Sequence, residues 1–314
     1  MDLNFNQLAK DCLINTTDNV NESFPLIDNL EKNLNQDDFI NVINYFFQIS
    51  NNSDILNYII KKMNKYKSKT SVPILIDFIL LKDKYHELIS DIDVQTSMRV
   101  GAVKVLANIK DNSAVNPLLH CLNNKNENYK LRLSCAEALG KIGDKYAVTP
   151  LTDVLKDDNE HSVYLKESAA FALGMIGDKN AVDTLVNILE TQKGIIDKFT
   201  FLKERAIEAL SKINFKNDKV FSALKNSLKD ESEQVRINAI EALSNLDDNR
   251  VEEVLYNCLF DKSEEVLKNV VIALYNISGD DIFEKILNDS SLPEITLTTT
   301  KDIIKELNES DDEI

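Results

Sequence analysis

The stretch AEALGKIGDKYAVTPLTDVLKDD, residues 136–158, is echoed by FALGMIGDKNAVDTLVNIL, residues 171–189. Each runs from small residues and a leucine, through Gly-Asp, into a second apolar segment. Working outward, the first leucine belongs to a series, Leu106, Leu139, Leu173, Leu210, Leu243 and Leu274, with spacings of 33, 34, 37, 33 and 31 residues. A period of this size marks one supersecondary unit stacked several times, because a single unit cannot bury its apolar face alone.

Aligned on these leucines, the first segments are RVGAVKVLANI (99–109), RLSCAEALGKIGD (132–144), KESAAFALGMIGD (166–178), KERAIEALSKI (203–213), RINAIEALSNL (236–246) and KNVVIALYNIS (268–278). A small residue, a leucine four places on and an Ile or Leu three after that form one helical stripe, as in Ala206, Leu210 and Ile213. The small residues at 102, 135, 169, 206 and 239 let neighbouring helices approach, and Gly143 and Gly177 stop their helices in the left-handed conformation. Second helices follow at 114–122, 147–155, 181–189, 220–228 and 251–259. Pro117 and Pro150 fall in first turns, where a missing N–H removes no intrahelical bond. Short acidic loops such as KDDNE (156–160) and KDESE (229–233) join one repeat to the next.

Three segments, VRINAIEALSNL (235–246) and the two quoted first, resemble the short HEAT repeats of the phycobilisome-lyase-like type. Tetratricopeptide repeats want aromatic residues before Leu-Gly, and the chain has no Trp; ankyrin repeats want Thr-Pro-Leu-His, and Thr149-Pro150-Leu151 is followed by Thr152. The resemblance implies an all-α fold, a right-handed α-α superhelix of the armadillo/HEAT type, with five to six repeats over residues 96–288. Residues 1–95 read as a divergent helical N-terminal cap holding one or two degenerate repeats, with helices near 2–14, 21–34, 36–49, 53–66 and 71–82. Residues 289–314 read as a C-terminal capping helix, TTTKDIIKELN (298–308), and a disordered acidic tail, ESDDEI. Terminal repeats diverge because they must hide the apolar end of the stack.

The start MDLNFNQLAKDC lacks the basic and apolar runs of a signal peptide, and the longest apolar run, PILIDFILL (73–81), is broken by Asp77. Cysteines 12, 121, 135 and 258 form no CxxC pair, so neither a zinc site nor a disulfide framework is expected, and a cytoplasmic location is. A net charge of −16 opposes a phosphate backbone, which makes a nucleic-acid-binding HEAT protein the third-ranked reading. The recurring Arg99, Arg132, Lys166, Lys203 and Arg236 open the first helices near acidic loops, and read as an exposed inter-repeat ladder of ion pairs.

The family includes two enzymes. In deoxyhypusine hydroxylase, His-Glu pairs six and five residues before the repeat leucine hold iron. Here those places carry Val100-Gly101, Leu133-Ser134, Glu167-Ser168, Glu204-Arg205 and Ile237-Asn238, so the activity is excluded. His86-Glu87 and Glu160-His161 lie in connecting segments, and no metal or other cofactor is expected. A bilin-lyase-like enzyme, acting on a tetrapyrrole or modifying a bound protein, is the second reading, with Tyr146, Tyr164 and Tyr256 as the available groups. No catalytic residue set, phosphate-cradling loop or dinucleotide fingerprint appears.

The first reading is a non-catalytic scaffold, a monomer with no membrane segment, that binds a protein or peptide in the concave groove the architecture lines with second helices. Registering these helices gives His120, Asp153, Asn187, Asn226 and Asn257, with Asn116, Thr149, Asp183, Ser222 and Glu253 one turn earlier. Short amides and carboxylates suit a peptide backbone, an outward helix face is ordinarily polar in any case, and the acidic surface suits a basic partner. The insertion ETQKGIIDKFTF (190–201) places Ile195, Ile196 and Phe199 in a loop, either for recognition or tucked against neighbouring helices.

Overall fold

The structure, a computed structural model, describes residues 4–14, 20–82, 85, 89–190 and 196–311, with backbone alone at 196–199 and 310–311. Its regular elements are helices, with no strand among the described residues. The chain forms two compact units, residues 1–172 and 173–314, whose boundary falls inside a helix.

The N-terminal unit begins with α1 (Phe5–Asp11), α2 (Val20–Asn33), α3 (Gln36–Ile49), α4 (Ser53–Tyr66) and α5 (Val72–Ile79). Two repeats follow: α6 (Ile92–Ile109) with α7 (Val115–Asn123), and α8 (Tyr129–Ile142) with α9 (Val148–Lys156). Helix α10 (Val163–Ile176) runs across the boundary. The C-terminal unit continues with α11 (Val182–Glu190), α12 (Ile196–Ile213), α13 (Asp218–Ser227), α14 (Glu233–Ser244), α15 (Val251–Tyr256), α16 (Glu264–Ser278), α17 (Asp281–Leu287) and α18 (Glu294–Asp311).

The turn inside each repeat follows from a few residues. Gly143 and Gly177 adopt φ of 80° and 72°, and their N–H groups donate to the carbonyls of Leu139 and Leu173 at 3.0 Å. Asp144 and Asp178 then cap a single 3-10 turn by accepting from the N–H groups of Tyr146 and Asn180 at 2.9 Å. The second helix starts directly from that turn, with Pro150 in its first turn. The six repeat leucines are all buried, as are the small residues at 102, 135, 169, 206 and 239.

Two close helix contacts fall one place after a repeat leucine. A Cβ on Gly140 would stand 2.7 Å from the Ala172 Cα, and one on Gly174 would stand 2.7 Å from the Ala209 Cα. The glycine after a repeat leucine thus meets the alanine before the next one, backbone against backbone.

The basic residues that open the first helices are not an exposed ladder. Arg99, Arg132 and Arg236 are buried. Arg99 donates from Nε to the Ile79 carbonyl at the end of α5 and holds Glu127 with both terminal nitrogens, at 2.8 and 2.7 Å. Arg132 donates from Nε to the Leu122 carbonyl at 2.8 Å and pairs with Glu160 at 2.7 Å. Arg236 holds Asp261 through two nitrogens and donates to the carbonyls of Asp230 and Glu231. Lys203 pairs with Asp230 at 2.6 Å, and Lys166 donates to the Asp157 carbonyl. Where a carboxylate partner is present, it comes from the loop that closes the same repeat, while the carbonyls belong to the end of the preceding repeat. Each arginine is therefore a clamp across a joint.

Before residue 96 the packing changes from small residues to aromatics. Phe39, Phe46, Phe47 and Phe78 are buried, and Phe78 meets Phe47 and Tyr85 edge-on at 5.3 and 5.1 Å. Helix α2 is pinned to α4 by Lys62, which bonds Asp28 and Glu31, with Lys65 and Tyr66 also on Glu31. Burial alone raises the Glu31 carboxyl, but hydrogen bonds from Lys62, Lys65 and Tyr66 overcome this and hold it at about 2, below its usual 4.5. A carboxyl lowered in the folded state stabilises above its unfolded value, and that contribution is lost as pH falls through the folded one. Below pH ~4.5 the N-terminal unit is therefore expected to lose about 1–2 kcal/mol progressively toward pH ~2, after allowance for solvent screening. Urea midpoints measured against pH check this, and Glu31→Gln should flatten the slope in that window.

At the C-terminus, α18 extends through Asp311, three residues into the segment expected to be a disordered tail. The segment expected to form a recognition loop is partly helical in backbone. Helix α12 starts at Ile196, so Ile196 and Phe199 lie in its opening turns because the inserted residues continue the helical pattern; their side chains, and Ile195 entirely, lie outside the described residues.

Candidate protein-binding face

The second helices are short and amphipathic. In α9, Val148, Leu151, Thr152, Val154 and Leu155 are buried, leaving Thr149 and Asp153 on the outer side. The same period leaves Asn116 and His120 exposed on α7, and Asp183 and Asn187 on α11. Ser222 and Asn226 are exposed on α13, and Glu253 and Asn257 on α15 and the 3-10 turn after it. All ten residues of the double row therefore face solvent.

They are not equally available. Asp183 pairs with Lys219 at 2.5 Å, and the Asn257 amide donates to the Glu253 carbonyl one turn back at 2.8 Å. Basic residues absent from the registered row stand close to it in the C-terminal unit. Arg250 pairs with Asp218 and Asp248 and lies over the Phe221 ring at 4.0 Å, and Lys285 pairs with Glu252. Lys219 and Arg250 stand at the start of second helices and Lys285 in the last turn of α17, and each reaches a carboxylate of the preceding repeat. The face is thus a lattice of amides and matched charges with local exceptions.

The tyrosines considered for catalysis occupy different elements. Tyr146 projects from a 3-10 turn and Tyr164 from the first turn of α10, both largely exposed. Tyr256 donates to Asp289 at 3.0 Å beneath Lys285, and burial followed by that carboxylate pushes its phenol up to about 12. A phenol so held stays protonated and is a poor nucleophile or base. The four cysteines are free thiols, and burial raises those of Cys12 and Cys258 to about 11. Among the described residues no group of His, Cys, Asp and Glu is arranged to hold a metal ion, and no helix is long and apolar enough to cross a membrane.

Comparison with known proteins agrees with the repeat and its turn. The family described as HEAT repeats matches residues 87–164, 193–276 and 221–298, together more than half of the chain. The PBS lyase HEAT-like repeat matches residues 165–191. The chain belongs to the HEAT-repeat proteins, and its fold is an all-α solenoid of the armadillo/HEAT type. No curated protein matches it in sequence.

Among solved structures it is similar to Kap121p, with a TM-score of 0.52 and 11% identity over 95% of this chain and 37% of that one. The complex of CpcE and CpcF of phycocyanin lyase from Nostoc sp. PCC7120 aligns with a TM-score of 0.44 and 21% identity, over 71% of this chain and 91% of that one. Human deoxyhypusine hydroxylase aligns at 0.34 and 15%, over 86% and 94%. The likeness to Kap121p is one of fold alone.

Proposed function

We propose that the chain is a non-catalytic scaffold, a cytoplasmic monomer, that binds a protein or peptide along the face formed by its second helices. The observation that carries this reading is the exposed polar side chains that the second helices of each unit present, on helices whose apolar residues are mostly turned inward. Asn side chains can pair with a peptide's N–H and C=O groups, and the net charge of −16 favours encounter with a basic partner. The helices before residue 96 cap the stack, and the free thiols suit a reducing compartment. Nothing in the arrangement of Tyr146, Tyr164 and Tyr256 favours a lyase.

Arginine at His120 and Asp153 in one variant, and at Ser222 and Asn226 in another, tests the face in each unit separately. All four side chains are exposed, so the variants should melt like the parent. Affinity capture from cells, compared by mass spectrometry, should lose the same specific partner in at least one variant. Capture unchanged in both moves the site off this face.

A further inference from the structure

Between α13 and the 251–260 segment lies a cavity of about 380 Å³. Its apolar wall is Leu228, Ile240, Val254, Phe260 and Val266. The volume is within the ~300–1,000 Å³ of clefts that hold small ligands or side chains. Three observations distinguish it from an ordinary crevice between repeats.

The first is charge. Lys225 and Lys229 both border the cavity, are exposed, and make no ion pair among the described residues. Their neighbours are already matched: Arg236 and Asp261 hold each other, Asp230 holds Lys203, and Arg250 holds Asp218 and Asp248. Two free cations thus stand beside an apolar cleft in a chain of strongly negative net charge.

The second is backbone. The second helices α9 and α11 remain α-helical over nine residues, and α13 over ten. Here α15 ends after six and tightens into a 3-10 turn, Asn257–Phe260, which leaves Phe260 exposed at the cavity. A 3-10 turn is common at a helix end, and this one sets the exposed Phe260 ring at the cavity.

The third is position. Asn257 of the double row is part of the cavity's lining, and Asn226 is the residue after the lining Lys225. A peptide lying on the face would pass over it.

We propose that this cavity is an anchoring subsite for a bulky apolar side chain of a bound peptide, and that Lys225 and Lys229 hold an Asp or Glu adjacent to it in that peptide. This rests on the proposed function and adds the chemistry of one contact. The preference is opposite in sign to the chain's net charge, so it selects among partners instead of adding to general attraction. Two lysines near a helix C-terminus also suit the helix dipole, and a purely structural role predicts no dependence on peptide sequence.

The test uses the full chain and fluorescein-labelled octapeptides, each with one central pair, Leu-Glu, Leu-Lys or Ser-Glu, in an otherwise neutral sequence. Fluorescence anisotropy should detect binding of the Leu-Glu peptide that weakens about tenfold in K225E/K229E and falls with added salt. Leu-Lys and Ser-Glu peptides should bind about tenfold or more weakly. Both lysines are exposed, so the double variant should keep its melting temperature; Val254→Phe, which partly fills the cavity, is the second variant and should also weaken Leu-Glu binding. Equal affinity for Leu-Glu and Leu-Lys, or Leu-Glu binding unchanged in K225E/K229E, overturns the proposal. So does tight binding of a fatty acid that displaces no peptide. If the proposal fails while the arginine variants of the face still lose their partner, the subsite is wrong and the binding face stands; if those variants also lose nothing, both readings fall.

Discussion

Replacing Arg132 with alanine is expected to destabilise the N-terminal unit by about 3–5 kcal/mol, the cost of leaving a buried charge without its partner. The Arg132 and Glu160 side chains are 9% and 8% exposed, so water cannot take over the role of either. The loss also frees the Leu122 carbonyl near the C-terminus of α7, one of the acceptors a helix end must satisfy from outside. Urea unfolding followed by circular dichroism should show the deficit, and the melting transition should fall by roughly 6–20 °C for a unit of this size. Removing both partners, Arg132→Ala with Glu160→Ala, should cost less than the single change, and the cycle of four proteins gives the coupling directly. Arg132→Lys should recover only part of the loss, since one ammonium cannot serve both the carbonyl and the carboxylate in the geometry of the guanidinium fork. A single change costing under ~1 kcal/mol would mean the pair behaves as a surface contact.

Gly140→Val should be comparably damaging for a different reason. A Cβ at this site already stands 2.7 Å from one backbone atom of Ala172 and 2.9 Å from its Cβ, so α8 and α10 must move apart before any further methyl is placed. Overpacking costs ~1–3 kcal/mol where a side chain can yield, and here the obstacle is main chain, which puts the expectation at about 3 kcal/mol or more. Gly101→Ala is the internal control. Its Cβ would meet only Ile60 Cγ2, at an ordinary 3.5 Å, and the gain in helix propensity should stabilise by up to ~1 kcal/mol. The same denaturation experiment on Gly140→Ala and Gly101→Ala should therefore give opposite signs.

What could be read from the residues alone divides along physical lines. The leucine column, the helix pairs and the Gly-Asp turn were legible because each depends on contacts within one repeat, where spacing fixes geometry. The partners of Arg99 and Arg132 were not. The nearest acidic loop in sequence is the one just before each arginine, whereas Glu127 and Glu160 come from the loop that folds back 28 residues later. The glycine contacts left a readable trace: Ala138, Ala172, Ala209, Ala242 and Ala273 all precede a repeat leucine and are buried. That column marks the helix-to-helix contact more directly than the small residues three places earlier. Before residue 96 no period is visible because phenylalanines fill the space that alanine and leucine share in the repeats, and large side chains tolerate irregular helix spacing. On the binding face, solvent exposure followed from helical period, but the freedom of Lys225 and Lys229 did not. Two lysines one turn apart are ordinary on any helix, and only their place on the border of an apolar cavity makes these two distinct.

The arginine clamp has a further meaning for how such a chain can change in length. Where a repeat carries both the guanidinium and the carboxylate it grips, it asks its predecessor only for main-chain carbonyls at a helix end or in the loop just after it. A copied repeat spliced in frame would bring its own bolt and find a socket waiting, with no matched substitution required elsewhere. Growth and shrinkage by whole repeats are thereby open to the gene, while the loss of one arginine is felt at the joint where it sits.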